Sequence, residues 1–303
     1  MPVGTLPRRP VRLYKWVYSP TGDTQHVVEV QASLSALFMA NCRGLKFQAM
    51  RGFFTVGARR LSYLDFGGSG TPLLALHGHY NEASAFAPLA EALAPRWRVI
   101  ALDQRGHGAS DRAESYERDD YVADVAAFHR HLEVGPVAVL GHSLGGVNAY
   151  QYAGRHADRV TALIVEDAGA VVDCDWSFTT SLPRQAQSRD ALASALGATA
   201  PYLECSYRRS KNGWGFSFDI DDTVVSQKAL NGDHWKDWDS VSCPTLLIRG
   251  TRSGELAAGH AREMIARRAG QARLVELPAG HVVHHDAQAQ FAAAVSVFLS
   301  QPD

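Results

Sequence analysis

Short runs of apolar residues recur along the chain, each followed by a glycine-containing turn and then by apolar positions at helical spacing. The runs Leu73–Leu76, Val99–Leu102, Val137–Leu140, Ala162–Val165, Thr245–Ile248 and Arg273–Leu277 suit strands covered on both faces of a sheet. Between them, Tyr121, Val122, Val125, Phe128 and Leu132 fall on one helical face. Phe86, Leu89 and Leu93 form a second such stripe, and Phe291, Val295 and Phe298 a last one. Strands alternating with helices predict βαβ units and a mostly parallel, doubly wound sheet, an α/β fold. Phe53–Val56 and Leu61–Phe66, separated by Gly57 and Arg59–Arg60, predict an antiparallel hairpin leading into it.

Two stretches break this rhythm. Residues 171–242 separate consecutive sheet strands by far more than one crossover helix requires, and they hold Trp176, Trp214, Phe216, Phe218, Trp235 and Trp238. Four of the six tryptophans in the chain lie there, which predicts a cap over a pocket. The same aromatics also suit a small core of the insertion itself. Asp219, Asp221, Asp222 and Asp233 dominate its second half and are expected to be solvated, with selection of a cationic group as an alternative role. Residues 1–50 form an N-terminal extension without strong periodicity, in which Val27–Val30 suits a strand and Ala32–Ala40 a short helix. The expected organisation is therefore an extension over 1–50, a core over 51–170 and 243–303, and an inserted cap over 171–242.

Composition narrows the functional classes. The 303 residues carry 30 Lys and Arg against 31 Asp and Glu, a net charge of −1, which leaves no general field to draw in nucleic acid or an anionic membrane. With 46% hydrophobic residues the chain has ample material for a core and is not a disordered one. No apolar run approaches the roughly 20 residues needed to span a bilayer. The opening MPVGTLPRRPVRLYKW has basic residues but no apolar segment of signal-peptide length behind them. Cys42, Cys174, Cys205 and Cys243 are widely spaced, as expected for reduced thiols of a cytoplasmic protein. A small-molecule substrate is the expected partner, and a homodimer is left open.

The sharpest local signal is Gly141-His142-Ser143-Leu144-Gly145, placed between the strand Val137–Leu140 and a helical run through Val147, Ala149 and Tyr152. G-x-S-x-G in a strand–turn–helix context holds a serine on a tight, strained turn, with glycines leaving room for the neighbouring elements. A serine needs a hydrogen-bonded base. Among 13 histidines, His281 stands out because it follows a strand and Pro278-Ala279-Gly280, shortly before the last helix. His284 and His285 lie past that turn, where packing or exposure is expected. The spacing of His281, His284, His285 and Asp286 matches no strong zinc pattern, so neither a metal nor a cofactor is expected. An oxyanion hole is expected from the main-chain N–H groups of Leu144 and His79. The His79 imidazole either faces substrate or hydrogen-bonds locally. Asp103 and His107 in DQRGHG are expected to brace loops.

The segments LLALHGHY, VIALDQRGHGAS, VLGHSLGG, IVEDAG and LPAGHVVHHD, in this order, resemble the α/β-hydrolase superfamily over about residues 52–299. The resemblance implies the α/β-hydrolase fold and a Ser143–His281 pair with a carboxylate that orients the histidine. The usual place for that acid is the loop after Thr245–Ile248, which reads RGTRSGE and lacks an aspartate. Two sources remain: Asp167, which resembles the acid of an esterase subgroup that carries it after the preceding strand, and Glu255. Substrate contacts are expected from Tyr80, His142 and Val282 and from Trp176, Trp214, Phe216 and Trp235. The implied activity is cofactor-independent hydrolysis of a small or medium, apolar or aromatic ester, thioester, lactone or ketone. An isomerase, epimerase, cyclase or lyase using His281 as general base is the alternative, and a ligand-binding protein that retains the triad is the third.

Overall fold

A computed structural model of the chain describes residues 13–17, 26–30 and 49–301. The chain divides into two units, Met1–Lys46 and Phe47–Asp303. In the first, Leu13–Val17 pairs antiparallel with His26–Val30, a strand that contains the expected Val27–Val30. The short helix expected over Ala32–Ala40 lies outside the described residues.

In the second unit the apolar runs become eight strands: β1 (Met50–Val56), β2 (Arg59–Asp65), β3 (Thr71–Leu76), β4 (Trp97–Asp103), β5 (Val137–His142), β6 (Val160–Glu166), β7 (Thr245–Gly250) and β8 (Ala272–Leu277). They form one sheet in the order β8-β7-β6-β5-β3-β4-β2-β1. β3 to β8 are parallel to their neighbours, whereas the β1–β2 hairpin joins β4 antiparallel. The chain leaves β3 for β4 on one side and returns to β5 on the other. The carboxyl ends of β3 and β5 therefore meet where the strand order reverses, which is where open α/β sheets form a crevice.

The helices of six residues or more are α1 (Ala87–Leu93), α2 (Arg118–His131), α3 (Leu144–Arg155), α4 (Arg189–Leu196), α5 (Ile220–Leu230), α6 (Trp235–Ser240), α7 (Ala258–Arg267) and α8 (Gln288–Leu299). Tyr121, Val125 and Phe128 on α2 pack with Val147 and Tyr150 on α3, Trp238 on α6 and Met264 on α7 in one buried cluster. Phe86, Leu89 and Leu93 pack with Phe291 and Val295 of α8 in the other. α2 places Asp119 and Asp120 in its first turn and Arg130 in its last, each sign facing the opposite end charge of the helix dipole. Among the described residues no helix is long and apolar enough to cross a membrane.

The insertion after β6 is pinched at its neck, where Val171–Val172 pairs antiparallel with Gly232–Asp233. Beyond the neck it has its own small core of Leu192, Leu196, Ala200, Leu203 and Tyr207, against which Trp214, Phe216 and Phe218 pack. Ser188 caps α4 by accepting from Ala191 N–H, and Asp219 caps α5 through Asp221 and Asp222 N–H. α6 falls on the other side of the neck: Trp238 is fully buried in the main core and donates Nε1–H to the Met264 carbonyl at 2.9 Å. An aromatic residue reads alike in sequence whether it caps a pocket or fills a core.

Candidate active site

Ser143 sits between β5 and α3 with φ 54° and ψ −120°. A positive φ costs a side-chain-bearing residue about 1–3 kcal/mol, so its surroundings must impose it. They do: Ser143 N–H donates to the Glu166 carbonyl at 3.0 Å, and its own carbonyl accepts Gly146 and Val147 N–H at 2.8 and 3.1 Å. A Cβ on Gly141 would overlap the Gly145 carbonyl, and one on Gly145 would overlap the Leu76 carbonyl at the end of β3. The flanking glycines are therefore required by close backbone approach.

His281 follows β8 through Pro278-Ala279-Gly280 and is half-buried. Its Nδ1 is 2.8 Å from Asp167 Oδ2. Asp167 lies directly beyond β6 with φ 47° and is 1% exposed. Its Oδ1 accepts Gly250 N–H at 2.8 Å, and Ser253 Oγ donates to the oxygen that also meets His281. Glu255, the other candidate acid, is exposed and accepts the Cys174 thiol at 3.3 Å. Burial pulls the His281 pKa down, but the Asp167 hydrogen bond and charge, with further attraction from Glu255 and Glu166, raise it above its ordinary value.

The loop after β3 runs against the serine turn. A Cβ on Gly78 would come within 3.0 Å of Ser143 Cβ and 2.7 Å of His142 Nδ1, so only glycine lets the loop approach. Leu144 is the fully buried first residue of α3 and His79 follows Gly78. Neither main-chain N–H is donated to a protein backbone acceptor among the described residues. The His79 imidazole is bonded across the molecule: Nε2 is 2.8 Å from Ser226 Oγ on α5. Burial holds its pKa well below the usual range, so the ring is neutral. Asp103 braces its neighbours by accepting Ala83 and Ala109 N–H at 2.8 and 3.0 Å.

The residues expected at a substrate face separate into groups. Tyr80 stacks on Trp176 and meets Phe218, both at 4.9 Å between ring centroids, and Trp176 is 4.9 Å from the His79 ring. These rings line the junction between loop and cap. Phe216 stacks behind Phe218 at 4.8 Å, and Trp214 pairs with Ala186 inside the cap. Trp235 is elsewhere: it packs on His260 at 5.0 Å and under the Arg267 guanidinium at 4.2 Å. Val282 is half-buried and its carbonyl accepts His285 and Asp286 N–H. His142 is buried behind the serine. Three of the cap carboxylates are occupied: Asp219 caps α5, Asp221 pairs with Arg184 and Asp222 with Arg112. Glu166, Ser226 and Ser253, absent from the expected site, serve it through contacts 86 to 147 positions away. The adjacent acids Glu166-Asp167 at a strand end were the available signal.

A family model described as alpha/beta hydrolase fold matches residues 71–288, and the chain belongs to that family. Among curated proteins it is similar to 2-(acetamidomethylene)succinate hydrolase of Mesorhizobium japonicum, 29% identical over 208 residues, covering 63% of this chain and 74% of the relative. It is also similar to the 3-hydroxybutyrate-oligomer hydrolase of Cupriavidus necator, 26% identical over 275 residues, covering 80% of this chain and 94% of that protein. The crystal structure of E-2-(acetamidomethylene)succinate hydrolase superposes with a TM-score of 0.77 at 24% identity, over 84% of this chain and all of that one. Both of these curated relatives are named hydrolases, and the solved structure shares the fold.

Proposed function

We propose that the chain is a cofactor-independent serine hydrolase that transfers an acyl group to water through Ser143, His281 and Asp167. The observation that carries this is the 2.8 Å hydrogen bond from His281 Nδ1 to the buried Asp167, with the His281 carbonyl 3.1 Å from Nε2 of His142, the residue before a serine held at φ 54°. Asp167 holds the imidazole with its proton on Nδ1, which leaves Nε2 as the basic nitrogen. Ser143 Oγ attacks the substrate carbonyl carbon as its proton passes to His281 Nε2. The N–H groups of Leu144 and His79 stabilise the oxyanion. Collapse breaks the bond to the leaving group, which takes the proton from His281. Water, deprotonated in turn by His281, then attacks the acyl-serine and restores Ser143.

The Tyr80, Trp176 and Phe218 rings support an apolar or aromatic group in the substrate, as an ester, thioester or lactone. The test uses an activated nitrophenyl ester and a fluorophosphonate probe. The wild-type chain is expected to hydrolyse the ester and to be labelled at Ser143, and Ser143→Ala to do neither. Ester hydrolysis surviving that substitution overturns the covalent mechanism.

A further inference from the structure

A second buried carboxylate–histidine pair lies beside the proposed triad. Glu166, fully buried at the end of β6, accepts both the main-chain N–H and the Nδ1–H of His284, at 2.8 and 2.9 Å. Glu166 and Asp167 are adjacent, and each captures one histidine of the segment that follows β8, His281 in its turn and His284 in the short helix Val283–Asp286. Between these two histidines stands His142, with its ring centroid 4.7 Å from that of His281 and 5.1 Å from that of His284.

The contacts of His142 define its tautomer. Its Nε2 is 3.1 Å from the His281 carbonyl oxygen, and a carbonyl only accepts, so Nε2 carries the proton. Burial pulls its pKa down to about 3, so the ring is neutral and Nδ1 is a bare lone pair. Among the described residues that atom is buried without a partner, close to Gly78.

We infer that His142 is a positioning residue: its Nε2–H bond to the His281 carbonyl locks the loop of the base to the nucleophile turn. This rests on the triad reading above. His281 is then held twice, its ring by Asp167 and its main chain by the residue next to Ser143 in sequence. The T-shaped contact with His284, itself fixed by Glu166, packs the His142 ring from a second side. Such an anchor matters because misplacing a reacting group by about 1 Å can cost about 100-fold in rate.

Two substitutions separate the hydrogen bond from ring packing. His142→Phe keeps the ring and removes the donor, while His142→Gln places an amide N–H near the same point. With the nitrophenyl ester, His142→Phe is expected to lower kcat about 10- to 100-fold with KM within about twofold. Fluorophosphonate labelling of Ser143 should slow by the same factor, and His142→Gln should return within about threefold of wild type. If His142→Phe does not fold, His142→Ala is expected to show the same loss, with partial recovery on adding imidazole. Wild-type kcat in His142→Phe, a glutamine variant as slow as phenylalanine, or no imidazole recovery in the alanine variant overturns the inference. A wild-type chain that neither hydrolyses nor labels overturns the triad instead.

Discussion

Asp167 accepts His281 Nδ1–H at 2.8 Å on one carboxylate oxygen and Gly250 N–H at 2.8 Å on the other. This carboxylate thus stands at the end of β6 and is clamped by the end of β7. Asp167→Asn is expected to lower kcat by roughly 10³- to 10⁴-fold with a small change in KM, because the amide no longer favours the required tautomer. Glu255→Gln, altering an exposed side chain that pairs with Cys174, is expected to stay within about threefold of wild type. Steady-state kinetics on both variants check this; a larger loss in Glu255→Gln would reassign the acid.

The strain at Ser143 predicts an order of stability. Ser143→Ala and Ser143→Gly both remove the nucleophile, but only glycine adopts φ 54° freely. The glycine variant is expected to be more stable than the alanine variant by about 1 kcal/mol, after its greater unfolded-state entropy is set against the relief of strain. Urea unfolding of the two inactive variants measures the difference.

The raised pKa of His281 places a limb in the pH–rate profile. The base must be neutral, so kcat/KM should rise with pH through a midpoint above the ordinary value of 6.5. Asp167→Asn removes the largest raising influence and leaves burial to act, so its residual activity should titrate at lower pH. The same shift bears on stability. A group whose folded pKa is raised stabilises fully below its unfolded value and loses that contribution as pH rises through the folded one. The His281–Asp167 contribution is therefore expected to fade above pH 6.5, which thermal unfolding of wild type and Asp167→Asn across that range would reveal.

Two tryptophans of similar appearance in sequence should behave differently. Trp176→Ala opens the stack on Tyr80 and His79 and is expected to change KM for aryl esters by about tenfold. Trp235→Ala loses its contacts with His260 and Arg267, at about 2 kcal/mol of stability, and should leave KM unchanged. Paired kinetics and unfolding curves distinguish them, and equal effects on KM would contradict the placement of Trp235.

Legibility in the sequence followed the range of the interaction. The six apolar runs lie within β3 to β8 and Phe53–Val56 falls inside β1; burial on both faces leaves this local trace in the inner strands, whereas the edge strands β1 and β8 are only partly buried. α7 was not legible: only Ala261 and Met264 of its ten residues are buried, too few to form a visible stripe. The short turns and four-residue hairpin arms of the cap were equally faint, since they carry little periodicity.

The sequence by itself determined the sheet, the serine turn and the position of His281 after the last strand, because each depends on neighbours a few residues away. The pairing of His281 with Asp167, the tie between His79 and Ser226, the His142 bond to His281 and the separation of Trp176 from Trp235 were decided only by tertiary structure. These contacts join residues 114 to 147 positions apart, or depend on which side of the neck at Val171–Val172 a side chain falls. No local pattern records that distance: the carboxyl ends of the parallel strands gather it into one place only when the sheet has formed.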